Sequence, residues 1–189
     1  AGCGWSAGPA GAGFQVIGVD LNSKIAEAIT TGGVIGTNEP GLSDLIEQVT
    51  KKGILKATSN GSTSVKDADI IIVCVPTPIK EDKTPDLSYI QDACKTIAPN
   101  LNAGKLVIIE CTLPPKTTKT FIAPILEEGS GLKCGSDFWL VYCPERITIG
   151  KALEDIVDND RIVGGYNAES AELATKFLET FARGNIQVT

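Results

Sequence analysis

Short blocks of consecutive apolar residues alternate along this chain with stretches in which apolar residues return every three or four positions. The first pattern suits buried strands and the second suits amphipathic helices. Gln15–Val19 is a compact apolar run that ends at Asp20 and predicts a strand. Asn22 or Ser23 can cap a helix running to about Thr31, with Ile25, Ala26 and Ile29 on one face, and Gly32-Gly33 stops it. After the Glu39-Pro40-Gly41-Leu42 turn, Leu42, Leu45, Ile46 and Val49 keep helical spacing; Gly53 ends that helix before a short strand at Ile54–Thr58. Ile70 to Val75 are all apolar and mostly β-branched, which predicts a central strand buried on both faces. Pro76-Thr77-Pro78 breaks it.

The later chain repeats the alternation. Asp86 can cap a helix over Leu87–Ala98, Leu106–Ile109 reads as another buried strand, and a helix follows Pro114-Pro115 from about Thr117 to Glu127. Phe138–Tyr142 is the next strand, a less regular stretch runs to Asn159, and Ile162–Val163 makes a short strand before Gly164-Gly165. Asn167 caps a last helix with Ala171, Ala174, Phe177, Leu178 and Phe181 facing inward, and Ile186–Val188 closes as an edge strand. Strands apolar throughout and alternating with helices predict an α/β fold, a doubly wound, mostly parallel, Rossmann-like sheet. In such sheets ligands collect at the carboxyl ends of the strands.

Composition narrows the function. The chain has 189 residues, 42% of them hydrophobic and 21% charged, enough to bury a core. A net charge of −6 argues against a nucleic-acid partner held by a general positive field. No run of about 18 apolar residues predicts a membrane span, and no signal-peptide pattern opens the chain. Six scattered cysteines without CxxC spacing read as reduced thiols, so a cytoplasmic protein is expected. With no His, acid–base chemistry must come from carboxylates, Lys, Tyr or Cys, and the absence of Met hints at a fragment or processed piece.

Candidate chemistry lies at strand ends. Gly2-Cys3-Gly4 through Gly8 reads as a glycine turn leading into a short helix, and Asp20 ends the next strand. Glycines let backbone approach a pyrophosphate, a helix N-terminus supplies unpaired N–H groups, and the carboxylate accepts from a ribose diol. The interval from Gly2 to Asp20 is shorter than the roughly 20 residues usual for this fingerprint, and no strand precedes Gly2. Four strands end in Asp20, Thr77, Thr112 and Glu145, which parallel pairing would place on one rim. Thr77 can meet a pyrophosphate or ribose, and Thr112 a water or the nicotinamide-side ribose; alternatively both satisfy backbone groups in turns. Glu145 can act as general base or water orienter; alternatively it pairs with Arg146 or Arg161. Lys24, four residues past Asp20, can reach the adenosine ribose or stand as a solvated helix lysine. The charge at Asp20 favours NAD over NADP, whose 2′-phosphate it would repel.

These residues resemble the UDP-glucose/GDP-mannose dehydrogenase family. The resemblance rests on Gly18-Val19-Asp20, Glu39-Pro40-Gly41-Leu42, Val75-Pro76-Thr77-Pro78 and Pro85-Asp86-Leu87. It continues through Glu110-Cys111-Thr112-Leu113-Pro114-Pro115, Pro144-Glu145-Arg146, Gly150 and Gly164-Gly165, in the family's order over essentially the whole chain. Tyr142 to Arg146 and Asn159 to Gly165 look most like the UDP-N-acetylmannosamine branch; UDP-glucose and UDP-N-acetylglucosamine 6-dehydrogenases are the near alternatives. The resemblance implies two-step oxidation of a sugar C6 from alcohol to carboxylate with two NAD, through a covalent thioester on a cysteine. It matches Gly2, Gly4, Asp20, Lys24, Thr77, Thr112 and Glu145 to NAD-binding positions, and Thr112 and Glu145 to the hydrolytic water. Arg146 and Ile147 match a segment touching the nucleotide sugar. It further implies a homo-oligomer for the full-length protein, used in making polysaccharide precursors.

The departures shape the remaining expectations. The family's first strand is absent ahead of Gly2, the following helix is short, Cys111 stands where Ser is common, and Lys116 where Gly is common. Residues 1–189 are expected to be the NAD-binding domain as a fragment, without the central and third domains that carry the family's catalytic Lys, Asn and Cys. Cys111 and Cys143 do not match that nucleophile and are expected to be buried spectators. The rival readings are a non-catalytic nucleotide-binding module, and another Rossmann enzyme such as a hydroxyacid dehydrogenase or methyltransferase.

Overall fold

The computed structural model describes residues 2–36 and 39–189 and divides into two compact units. In chain order the elements are α1 (Gly2–Gly11), β1 (Val16–Val19), α2 (Ser23–Thr30), α3 (Leu42–Lys51), β2 (Leu55–Thr58) and α4 (Gly61–Asp67). Then come β3 (Ile70–Val73), α5 (Ser88–Ile97), β4 (Leu106–Ile109), α6 (Ala123–Ser130) and β5 (Trp139–Tyr142). The last are α7 (Ala152–Asp158), β6 (Arg161–Gly165), α8 (Ala168–Leu178) and β7 (Ile186–Val188).

The first unit runs to Ser64 and takes in Arg146–Asp160 and Leu178–Asn185. Its β1 and β2 pair in parallel, Val16 opposite Leu55 and Val19 opposite Thr58. The helical spacing read from the sequence produces the core: Ile29 from α2, and Leu42, Ile46 and Val49 from α3, pack with Leu55, Ala7 and Ala10. The opening glycines do not form the expected turn among the described residues; Gly2, Gly4 and Gly8 lie inside α1. Glycine is a poor helix former, but burial of Ala7 and Ala10 overrides it. Gly8 also lets α7 approach so closely that a Cβ there would stand 2.8 Å from Ile156 Cγ2.

The second unit comprises Val65–Glu145, Arg161–Phe177 and Ile186–Thr189 and holds a five-stranded sheet in the order β3-β4-β5-β6-β7. Strands β3, β4 and β5 are parallel neighbours, β6 runs antiparallel to β5, and β7 is parallel to β6 at the sheet's end. The antiparallel turn of direction was not legible in the apolar pattern, which is the same for either pairing. All four residues of β4 are buried, whereas burial alternates along β3, which ends this sheet. The two-sided central strand is therefore Leu106–Ile109 and not the longer apolar run at Ile70. Val107 and Ile109 pack under Ile90, Cys94 and Ile97 of α5 and Leu126 of α6. Each such fully buried aliphatic contributes about 1.5–3 kcal/mol.

Two short helices escaped the sequence reading. In α4 the buried side chains are Ser64 and Val65, so it carries little periodic signal. Its C-terminal carbonyls are closed from outside the helix: buried Lys105 Nζ donates to Val65 O and Lys66 O, both at 2.8 Å, and to Ala68 O. In α7 the signal is one i, i+4 pair, Ala152 and Ile156. The helix expected from Thr117 begins as a π-helical segment, Thr118–Ile122, before α6.

Lys116, just before that segment, adopts φ +70, a conformation that costs an L-residue with a Cβ about 1–2 kcal/mol. This accounts for glycine being common there in the family the chain resembles. Lys116→Gly should therefore raise the unfolding free energy by about 0.5–1 kcal/mol after glycine's own entropic cost. Urea denaturation of the two proteins checks this; a loss of stability would contradict it.

Candidate functional site

In the first unit the site is built around the end of β1. Asp20 N donates to Thr58 O at 3.2 Å, extending the β1–β2 ladder by one residue, and this fixes the direction in which Asp20 leaves the strand. Its Oδ1 accepts from Asn22 N at 2.9 Å, and Asn22 Oδ1 in turn accepts from Lys24 N at 3.1 Å, capping α2. Asp20 and Lys24 are thus joined through one Asx turn and one helix cap. Asp20 is half-buried, and its second carboxylate oxygen carries no bond among the described residues, while Lys24 is exposed. Gly2 and Gly4 occupy the first turn of α1, where backbone N–H groups have no partner within a helix.

Arg146 and Ile147 belong to the same unit, on the segment leading to α7. Arg146 Nη1 donates to Asp160 O at 3.2 Å, and its carbonyl accepts from Asn159 Nδ2 at 2.7 Å. Thr148 N donates to Asp155 Oδ2 at 2.6 Å. Arg146 is exposed and Ile147 half-buried.

In the second unit, parallel β3, β4 and β5 lead into Thr77, Thr112 and Glu145 at one end of the sheet. Thr112 is exposed and Thr77 half-buried, and neither hydroxyl bonds to another described residue. Glu145 N donates to Glu110 O at 3.1 Å, continuing the β4–β5 ladder, and Glu145 Oε2 accepts from the Cys74 thiol at 3.7 Å. The structure thus groups Asp20, Lys24, Arg146 and Ile147 in one unit and Thr77, Thr112 and Glu145 in the other.

Sequence reading missed the group beneath these residues. Glu110 is only 1% exposed, and both its carboxylate oxygens lack a hydrogen-bond partner among the described residues. Burial pushes its carboxyl up to about 8; the Arg161 charge and the Cys143 thiol oppose the shift, and Glu145 adds to it. Cys143 is near enough to ease the shift without making a well-formed hydrogen bond to it. The only signal in the sequence was an acid directly after a fully apolar strand. Burial also pushes the Cys74 and Cys143 thiols up to about 12 and raises Cys111. These three are protonated and poorly nucleophilic at neutral pH, as expected of Cys111 and Cys143. Among the described residues no His, Cys, Asp and Glu cluster could hold a metal, and no helix is long and apolar enough to cross a membrane.

Glu110 makes stability depend on pH. Unfolded, it ionises near its ordinary 4.5; folded, it keeps its proton to about 8, so the native state binds that proton more tightly. Its stabilising share is complete below pH 4.5 and is lost as pH rises through 8. Across that window Glu110 should tilt the stability curve downward by up to about 1.4 kcal/mol per pH unit. Glu110→Gln should remove that tilt in urea titrations repeated from pH 5 to 9; an unchanged slope would refute the assignment.

Comparison with known proteins places this arrangement in a lineage. Residues 2–182 match the profile of the UDP-glucose/GDP-mannose dehydrogenase family, NAD binding domain. A UDP-N-acetyl-D-mannosamine dehydrogenase of Campylobacter jejuni is 41% identical over 183 residues, covering 93% of this chain and 44% of that protein. One from Methanococcus maripaludis is 38% identical over 181 residues, covering 94% of this chain and 39% of that protein. The solved UDP-D-ManNAc dehydrogenase of Pyrococcus horikoshii superposes with a TM-score of 0.93 at 36% identity, covering 98% of this chain and 44% of that one. The chain spans about two fifths of the length of the relatives it matches. Asp20, with one carboxylate oxygen unbonded among the described residues, and the N-terminus of α1 lie in the same unit. This chain belongs to the UDP-glucose/GDP-mannose dehydrogenase family and corresponds to its NAD-binding domain.

Proposed function

We propose that residues 1–189 form the NAD-binding part of a UDP-N-acetyl-D-mannosamine 6-dehydrogenase, an enzyme whose central and third domains supply the catalytic Lys, Asn and Cys. The observation that carries the cofactor assignment is Asp20. One of its oxygens is held by the Asn22 amide, and the other, unbonded among the described residues, can accept from a ligand. A ribose 2′,3′-diol supplies two O–H donors to such a carboxylate, and a 2′-phosphate would be repelled. Bound NAD supplies the hydride acceptor for oxidation of the sugar carbon.

The residues take the following roles. Backbone N–H groups at Gly2 and Gly4 face the pyrophosphate, with the partial positive charge of the α1 N-terminus behind them. Asp20 accepts from the adenosine ribose and Lys24 reaches the same sugar. Thr77 and Thr112 offer unengaged hydroxyls, Thr77 to a phosphate or ribose oxygen and Thr112 to the nicotinamide-side ribose or a water. Glu145 takes a proton from that water or orients it; its contact with the Cys74 thiol is long enough to yield to a stronger donor. Arg146 and Ile147 meet the nucleotide sugar, the guanidinium suited to a diphosphate oxygen. In this reading the full-length protein is a homo-oligomer.

Calorimetric titration tests the assignment. NAD should bind the chain more tightly than NADP, and Asp20→Ala should weaken NAD by about 1–3 kcal/mol, the range for losing charged hydrogen bonds. Unchanged affinity in the variant, or tighter binding of NADP or S-adenosylmethionine, would overturn it. In the full-length enzyme, initial rates with UDP-N-acetylmannosamine, UDP-N-acetylglucosamine and UDP-glucose identify the sugar; the first should give the highest kcat/KM.

A further inference from the structure

The Glu39-Pro40-Gly41-Leu42 motif takes no part in the roles above. Leu42 N donates to Glu39 O at 3.2 Å, with Pro40 and a positive-φ Gly41 between them, which is a type II turn. Proline pre-sets the second position of such a turn and glycine alone suits the third without strain. Leu42 is 2% exposed and locks the turn into the core at the start of α3. The Glu39 side chain therefore starts from a rigid base.

Its carboxylate reaches far along the sequence. Oε1 accepts from Gly150 N at 3.0 Å and Oε2 accepts from Ala152 N at 3.1 Å. Gly150 has φ +87, so the backbone turns there, and Leu153 of α7 lies beside the Glu39 turn, its Cδ1 at ordinary contact distance (3.6 Å) from where a Cβ on Gly41 would be. The segment also holds itself locally, through Thr148 N to Asp155, Asn159 to the Arg146 carbonyl and Arg146 to Asp160 O, while its far end is bonded to Arg183, Gly184 and Asn185 through Val157 O, Asp158 and Asp160. At the near end, between Ile147 and α7, the hydrogen bonds among the described residues that reach a remote element are those to Glu39, which tie Gly150 and Ala152 to the start of α3 more than a hundred positions away in the chain.

We propose that Glu39 is a positioning residue: its two oxygens clamp the Gly150 and Ala152 amides and so hold the segment carrying Arg146 and Ile147 in the geometry that receives the nucleotide sugar. The proposal rests on the sugar-contacting role assigned to Arg146 and Ile147. Both oxygens are needed because each takes one amide. A glutamine at this position keeps one acceptor and turns an N–H₂ toward the other donor. An alanine removes both acceptors and leaves the N-terminal amides of α7 without a protein partner.

Two measurements on Glu39→Ala test the clamp and its use separately. Hydrogen exchange on the 189-residue chain should speed up at the Gly150 and Ala152 amides by about tenfold or more, the scale of losing a charged hydrogen bond, with Glu39→Gln intermediate. Amides of β4 serve as the internal reference, and unchanged protection at Gly150 and Ala152 overturns the clamp. In the full-length enzyme, Glu39→Ala should raise the KM for the UDP-sugar by about tenfold while the KM for NAD and kcat stay within about twofold. A parallel rise in both KM values, or none, overturns the positioning role. Arg146→Ala separates the two readings: if it leaves the sugar KM unchanged while exchange at Gly150 still depends on Glu39, the clamp is real but the sugar-contacting role has failed.

Discussion

Parallel pairing of β3, β4 and β5 around a strand buried on both faces is the constraint from which the second unit follows. Parallel neighbours share one carboxyl end, so whatever follows each strand must emerge at the same edge of the sheet. The register Ile70–Leu106–Trp139 brings the three strands level. Thr77, Thr112 and Glu145 reach one edge because apolar residues upstream have nowhere else to go. The ladder continues past β5 through the Glu145 amide and Glu110 carbonyl, which ties the backbone of the proposed water-handling carboxylate to the strand beside it.

The same burial creates a conflict that this core resolves in two ways. Lys105 and Glu110 flank β4, and both are nearly inaccessible. Lys105 satisfies its charge with three carbonyls at the end of α4, doing for that helix what its own sequence cannot. Glu110 finds no donor among the described residues and holds its proton instead. A buried cation met by backbone acceptors is a strut; a buried carboxyl without donors is a titratable fault kept near the site. Such a group gives an otherwise apolar layer a response to pH.

The first unit is organised by close approach rather than by strand number. Gly8 admits Ile156, Leu153 packs beside Gly41, and Glu39 supplies hydrogen bonds that these contacts alone would lack. Together they join α7 to elements at the far end of the chain. The segment bearing Arg146 and Ile147 is held by this packing together with its own internal hydrogen bonds.

Much of this was legible in the residues. Apolar blocks located every strand to within about two positions, Asn22 and Asn167 marked helix starts that their side chains do cap, and the polar strand ends were read directly. Three features were not legible, each for a physical reason. The opening glycines read as a turn because intrinsic propensity says so, but tertiary burial of Ala7 and Ala10 draws them into a helix. Helices α4 and α7 are too short to show a period; each is completed by a partner remote in sequence, Lys105 for one and Glu39 for the other. The longest apolar run proved to be the strand at the end of its sheet, because hydrophobicity reports burial but not strand order. The sequence by itself thus determined the elements, the fold class and the residues at the strand ends, since these depend on local pattern. Only tertiary structure decided that Glu110 is buried with no hydrogen-bond partner among the described residues and that Glu39 holds a distant loop, since both depend on which groups non-local packing leaves within reach.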